Sequence, residues 1–348
     1  FESSKISLHN LKFVSKNVKV KESQRFIKND ILISIANSKE QTGKVGFANY
    51  DTDAYAGGFM AILRPNKAIE PFYLYLYLLT DTSRNFIAGR TQGTTNIFNI
   101  TFERIKDLVI PLPPLEEQKQ IVELFQSIET ALEQVEEQEQ RLTELRKSLC
   151  KGLLLKEPIF GKLLNKGNCS IVKFSNFAES IEKHDKNKKD VHRFVGLENI
   201  EPEDFTIKTW GNIEDGTTFT KLFQKGDVLF GKRRAYLKKV AVTDFDGICS
   251  SDILVLRAKQ DKIIPELLPF YISADPFIQY AVSTSAGSLS PRTKWKDLGE
   301  LEVSLPEIEI QKKILAVLQS VEGTRNQLVL QKSNLKKLKQ QLLNEILG

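Results

Sequence analysis

The chain has 348 residues, 41% of them hydrophobic and 27% charged, with a net charge of +6. That length suits two domains, and no apolar run of about 18 residues is present that would span a membrane. The mild basicity is compatible with nucleic acid without establishing it. Cys150, Cys169 and Cys249 are too few and too scattered for a disulfide framework or a zinc site, and fit a reduced, cytoplasmic protein.

In chain order, runs rich in Ile, Val and aromatics, bounded by Asn, Gly and Asp, predict strands over 30–35, 44–50 and 59–64. Short helices are predicted over 72–79 and 101–107, the second with Thr101 as N-cap. A long helix follows, with apolar residues every seven at Ile121, Ile128, Val135, Leu142 and Leu149 and companions at Leu124, Ala131, Gln138 and Leu145. Strands are then predicted over 227–230, 239–243 and 253–257 and a helix over 265–273. A second long helix carries Ile314, Val321, Leu328, Leu335 and Leu342, with companions Val317, Thr324, Gln331, Leu338 and Glu345.

The two halves are copies of one plan. Gln118 and Gln311 end matched segments at a separation of 311 − 118 = 193, and Ile121/Ile314 and Arg64/Arg257 share it. Phe26-Ile-Lys-Asn-Asp matches Phe223-Gln-Lys-Gly-Asp at 223 − 26 = 197. A period this long means a duplicated domain rather than a solenoid. By the same offset Phe1 corresponds to about Glu198, whereas the second copy begins near Lys173. The first copy is therefore expected to lack its opening residues, about 198 − 173 = 25 of them.

The helices are expected to pair with each other. Over 115–150 there are nine Glu against four Lys or Arg, and over 308–343 two Glu against seven Lys or Arg. Opposite charge on matched seams favours this pair over self-pairing of either helix, and an antiparallel pair gives pseudo-twofold symmetry. Gln138 and Gln331, in the same slot of each copy, are expected to fix its register. A helix of 36 residues is about 54 Å long, longer than one turn of DNA, and geometry alone gives two similar modules on a ruler.

The segments Gly93-Thr-Thr-Asn-Ile-Phe-Asn-Ile-Thr-Phe102 and Ile105-Lys-Asp-Leu-Val-Ile-Pro-Leu-Pro-Pro-Leu-Glu-Glu-Gln-Lys-Gln-Ile-Val122, echoed by Val303-Ser-Leu-Pro-Glu-Ile-Glu-Ile-Gln311, lead into the heptad helices. In these motifs and in its duplicated order the chain resembles the specificity (S) subunit of type I restriction-modification systems. The resemblance implies an α+β protein with two similar mixed α/β target-recognition domains, 1–113 and 153–306. Two long helices, 114–152 and 307–348, separate them and form an antiparallel coiled coil. It further implies a non-catalytic, prokaryotic subunit that reads a bipartite site on double-stranded DNA. Two methyltransferase subunits and two restriction/translocase subunits would be its partners, and S-adenosylmethionine, ATP and Mg²⁺ would sit on those partners and not on this chain.

Candidate DNA contacts follow from residue type. Lys232, Arg233, Arg234, Tyr236, Lys238 and Lys239 crowd five cations around one aromatic just after a strand. Ser288, Arg292, Lys294 and Lys296 lie in a Gly- and Pro-containing loop, where Trp295 is expected to be core. The corresponding first-copy residues are Arg90, Gln92, Thr94, Thr95 and Asn96, whose amides suit adenine edges. Lys39 and Lys44 form a weaker version of the basic patch. The bland alternatives are a solvated basic turn and a Gly-centred loop that caps a helix. His184 and His192 share a mixed-charge loop with no cysteine nearby, so a metal site is not expected there.

There is no Gly-x-x-x-x-Gly-Lys phosphate loop, no Asn/Asp-Pro-Pro-Tyr segment and no Ser or Cys nucleophile elbow. Two other readings remain at this point. One is a coiled-coil assembly scaffold with no DNA role. The other is a metal-dependent nuclease built on carboxylates such as Asp51, Asp53, Asp244 and Asp246.

Overall fold

The Ile-Leu-Ile-Ser run is buried along its whole length because both faces of its sheet are covered, Ile31 and Ile33 packing into one apolar cluster and Leu32 into another. Strand β1 (Ile31–Ser34) lies between β3 (Val45–Phe47) and β4 (Met60–Leu63), both antiparallel to it, with Ile31 facing Phe47 and Leu63. The computed structural model describes residues 6, 12, 13, 15, 17, 19–94, 97–155, 160, 163–165, 167–187 and 191–348. These divide into two compact units, Phe1–Glu137 with Leu328–Gly348 and Gln138–Gln327.

In the first unit, β2 (Ala36–Asn37) joins β6 (Ile97–Asn99) and β5 (Gln92–Thr94) in a small antiparallel layer. Helices α1 (Pro71–Leu78), α2 (Asp81–Ala88) and α3 (Phe102–Ile105) complete the domain. Ile31, Ile33, Val45, Phe47, Tyr75, Ile87 and Ile100 form its core. Helix α4 (Leu115–Leu154) then begins, and its first turns pack Val122 and Phe125 against Tyr73, Leu76 and Tyr77 of α1.

The second unit opens with β7 (Cys169–Lys173), β8 (Ala178–Ser180), β9 (Arg193–Val195), β10 (Gly211–Asn212) and β11 (Lys221–Phe223). It continues through β12 (Val228–Gly231), β13 (Val240–Val242), β14 (Gly247–Cys249) and β15 (Ile253–Ala258). Helices α5 (Leu268–Ser273), α6 (Asp275–Ser283) and α7 (Trp295–Leu298), strand β16 (Glu302–Pro306) and helix α8 (Ile308–Ile346) follow. The order β13-β12-β15 repeats β3-β1-β4, with β8 added on the far edge of β15. A further sheet, β10-β9-β14-β11, and the pair β16-β7 were not legible in the sequence.

The two frames agree in detail. Asn29 and Gly226 occupy the same turn with positive φ (74° and 91°), a conformation open to Asn and Gly. The next residue is a buried aspartate in each case. Arg64 donates two hydrogen bonds to Asp30 (2.8 and 2.7 Å), and Arg257 donates two to Asp227 (2.7 and 2.8 Å). At the domain-to-helix junction Gln118 donates to Pro113 O (2.8 Å) and accepts from Glu70 N (2.8 Å). Gln311 donates to Pro306 O (2.8 Å) and accepts from Ile264 N (2.9 Å). Both glutamines are buried, so the Leu-Pro-x-x-x-x-Gln signature is a hydrogen-bonded lock between domain and helix.

Helices α4 and α8 pack together and run antiparallel inside each unit. In the first unit Glu136 pairs with Lys332 (3.4 Å), and Glu129 pairs with Lys339. Seven residues forward on α8 is thus seven back on α4. In the second unit Arg146 pairs with Glu322 (3.2 Å). Glu129 and Glu322 differ by 322 − 129 = 193, and Arg146 and Lys339 by 339 − 146 = 193, so one ion pair is the internal-repeat image of the other.

The expected seam needs a correction. Ile314, Val135, Val321 and Leu328 are buried and Ile121, Ile128, Leu142, Leu149, Leu335 and Leu342 half-buried, as expected of one column. The companion column is exposed apart from half-buried Ala131: Gln138 and Gln331 face outward with Leu124, Leu145, Val317 and Leu338, so neither glutamine lies in the seam. One residue further on, Phe125, Leu132, Arg146 and Leu318 are buried in its place.

Candidate nucleic-acid interface

The two basic loops of the second unit meet although they are far apart in sequence. Leaving β12, Lys232 donates its N–H to Asp252 O (2.9 Å) and accepts from Thr293 N (3.1 Å), and Arg234 N–H donates to Pro291 O (2.9 Å). Arg233 and Arg292 form a backbone bridge, and Arg292 also bridges Ala286. The side chains add to this backbone stitching. Arg292 Nε donates to Asp252 Oδ1 (2.6 Å), Arg233 Nη1 to Asp252 Oδ2 (3.4 Å) and Arg233 Nη2 to Ser290 Oγ (3.1 Å). The Arg292 guanidinium beside Asp252 holds its carboxyl below the usual carboxylate range.

The turn that follows is presented outward. Ala235–Leu237 is one turn of 3-10 helix between Arg234 and Lys238, both left-handed (φ 54° and 52°). Such residues are strained and persist where neighbours hold them. Lys238 is held by Asp275 (2.6 Å) and Glu203 (3.6 Å), and Lys239 Nζ donates to Leu197 O (2.6 Å). These two cations therefore face inward, and the expected five-cation patch is narrower than its sequence suggests. Lys232 is half-buried, and its ammonium is shifted below the usual lysine range first by burial and then by the nearby Lys221. Arg234, Tyr236, Ser288, Arg292, Lys294 and Lys296 are exposed. Among the described residues the side chains of Arg234, Lys294 and Lys296 have no partner. Leu289, 89% exposed between them, had no distinguishing signal in the sequence. Trp295 packs on Phe174 (ring centroids 6.0 Å apart), a core role.

The first unit builds the same layer from different side chains. Ile35 N–H donates to Phe59 O (2.9 Å) and Ile100 N–H to Ile35 O (2.9 Å), repeating the bonds of Lys232 with Asp252 and Thr293. Strand β2 pairs Ala36 with Asn99 where the second unit bridges Arg233 and Arg292. Gln92 is exposed on β5, which ends at Thr94, while Thr95 and Asn96 lie outside the described residues. Arg90 stacks over the Phe86 ring (3.4 Å to the centroid) at the end of α2. Lys39 is exposed in the turn after β2, and Lys44 is half-buried just before β3.

Three of the four carboxylates of the nuclease alternative are engaged locally. Asp53 pairs with Arg25 (2.8 Å), and Asp51 and Asp246 accept from Lys28 N (3.3 Å) and Lys225 N (2.7 Å). His184 Nδ1 lies 2.9 Å from Thr220 Oγ1. Among the described residues no group of three or more His, Cys, Asp or Glu could hold a metal ion, and no helix is long and apolar enough to cross a membrane.

Comparison with known proteins agrees with this geometry. The profile of the type I restriction modification DNA specificity domain matches twice, over residues 3–145 and 138–338. A Methanocaldococcus jannaschii protein assigned as the MjaX type I restriction enzyme specificity subunit is 26% identical over 364 residues, covering 99% of this chain and 84% of its own. The EcoDI specificity subunit of Escherichia coli is 28% identical over 309 residues, 78% of this chain and 68% of its own. The crystal structure of the type I restriction-modification S subunit from M. genitalium shares the fold, with a TM-score of 0.54 at 17% identity over 92% of this chain and 83% of that one. Matched twice by one family over nearly its whole length, the chain belongs to the type I restriction-modification DNA specificity subunits, the non-catalytic part of the complex that recognises the DNA target.

Proposed function

We propose that each unit reads one half of a bipartite DNA target with the layer that follows its central strand. The observation that carries this reading is that the backbone contacts of Lys232 with Asp252 and Thr293, and of Arg233 with Arg292, recur at Ile35 with Phe59 and Ile100, and at Ala36 with Asn99, with different exposed side chains in each unit. In the second unit Arg234, Lys294 and Lys296 neutralise phosphates, Arg233 and Arg292 face guanine edges, and Tyr236 and Ser288 add contacts. In the first unit Gln92 addresses an adenine edge, supported by Arg90, Thr94, Thr95, Asn96, Lys39 and Lys44. The working domains are 1–113 and 153–306, with helices 114–152 and 307–348 as the scaffold.

Two methyltransferase subunits dock on that scaffold and two restriction/translocase subunits join for cleavage, bringing S-adenosylmethionine, ATP and Mg²⁺ to DNA in a prokaryotic cytoplasm. Supporting two docking sites, matched apolar helix residues are exposed in each unit, among them Leu124 and Leu338 in the first and Val317 and Leu145 in the second. The pairs are repeat images, since 317 − 124 = 193 and 338 − 145 = 193.

The test is selection from a random-sequence DNA pool by the chain mixed with its cognate methyltransferase. A split motif with a fixed gap is the expected outcome. A single half-motif would restrict reading to one unit, and no motif from a formed complex would overturn the reading.

A further inference from the structure

Within the second unit Asp252 stands between the two arginines of the candidate basic surface. Asp252 is 17% exposed, accepts from Arg292 and Arg233, and carries the carbonyl that receives Lys232 N–H. It thereby ties the loop after β12 to the loop before α7. In an array that binds a polyanion, a carboxylate at this point opposes phosphate by charge, so its presence calls for a compensating role.

We propose that Asp252 is a positioning residue for specificity: it aims Arg233 and Arg292 and lowers the attraction of this surface for DNA of the wrong sequence. The inference rests on the reading that this layer faces DNA. A free guanidinium sweeps many rotamers and satisfies any nearby phosphate. A guanidinium held by a carboxylate offers its remaining N–H groups in one direction, which suits bidentate contact with a base edge. The first unit supports the coupling of these three positions. Where the second unit has Arg233, Asp252 and Arg292, the same hydrogen-bonded places hold Ala36, Phe59 and Asn99, so acid and arginines are absent together.

The experiment compares the full chain, in complex with its methyltransferase, on two DNAs at several salt concentrations. One DNA is the sequence recovered by selection, and the other has the second unit's half scrambled. Asp252→Asn, close to isosteric, is expected to weaken the selected DNA about tenfold. It should also tighten the scrambled DNA about two- to threefold and steepen the salt dependence by about one released ion. Asp252→Glu, which keeps the charge, should leave the salt dependence unchanged. Lys294→Ala is the control and should weaken both DNAs alike. If Asp252→Asn weakens both DNAs equally, or changes neither, while Lys294→Ala weakens both, the positioning role is overturned and the DNA-facing reading stands. If Lys294→Ala and Arg234→Ala also change nothing, that reading fails and the inference falls with it.

Discussion

The two units share a set of buried polar contacts and differ in the side chains of the loops that follow their central strands. In both, a left-handed residue precedes a buried aspartate gripped by the arginine that closes or follows the third strand, and a buried glutamine locks the domain to its helix. At the tips the pattern reverses, and Arg233, Asp252 and Arg292 stand where the first unit has Ala36, Phe59 and Asn99. Buried polar groups must be satisfied, so their partners are fixed by the frame. Exposed groups carry no such obligation, and a duplicated frame is free to present a different surface in each copy.

That comparison can be broken at the frame, with the largest effects first. Phe125→Ala removes a fully buried ring that joins α4 to α1, and should cost about 3–5 kcal/mol in the first unit. Loss of DNA reading by that unit with the second still active, seen as a half-motif in selection, would show that the units fold separately. An unchanged unfolding midpoint would contradict the packing.

Next come the matched arginines. Arg257→Ala should destabilise by about 2–3 kcal/mol and Arg64→Ala by about 1–2, because each leaves a buried aspartate without its two charged donors. The order follows from exposure, 33% for the Arg257 side chain against 55% for Arg64. Denaturant titration of each variant checks it, and the reverse order would mean that exposure of the arginine does not set the strength of the pair.

The smallest expected effect sharpens the helix register. Gln138→Ala and Gln331→Ala should each change stability by less than about 0.5 kcal/mol, as exposed helix positions do. A loss of 1 kcal/mol or more in thermal unfolding would return the glutamines to the seam.

The register was misplaced by one residue for a physical reason. Leu124 and Phe125, and Ala131 and Leu132, are adjacent apolar pairs, so a seven-residue count fits either column. Helix α4 also packs on its own domain, which makes its apolar stripe wider than a two-helix seam. The buried positions at its centre include Arg146, which by type reads as solvent-facing and is buried because Glu322 and the carbonyl of Glu203 receive it. Likewise Lys238 and Lys239 look like free cations in a basic run, and only the fold shows that each already has a partner within the chain.

By itself the sequence determined the duplication, the central strands, the two long helices and their opposite charge. Each is a periodic or repeated property of the chain, set by local geometry and by which side chains avoid water. Tertiary structure alone decided which helix column is buried, which cations turn inward, and that Asp252 stands between two arginines 59 positions apart, 292 − 233. Pairings of that kind depend on folding bringing distant segments within hydrogen-bond distance, and no local pattern in the chain records them.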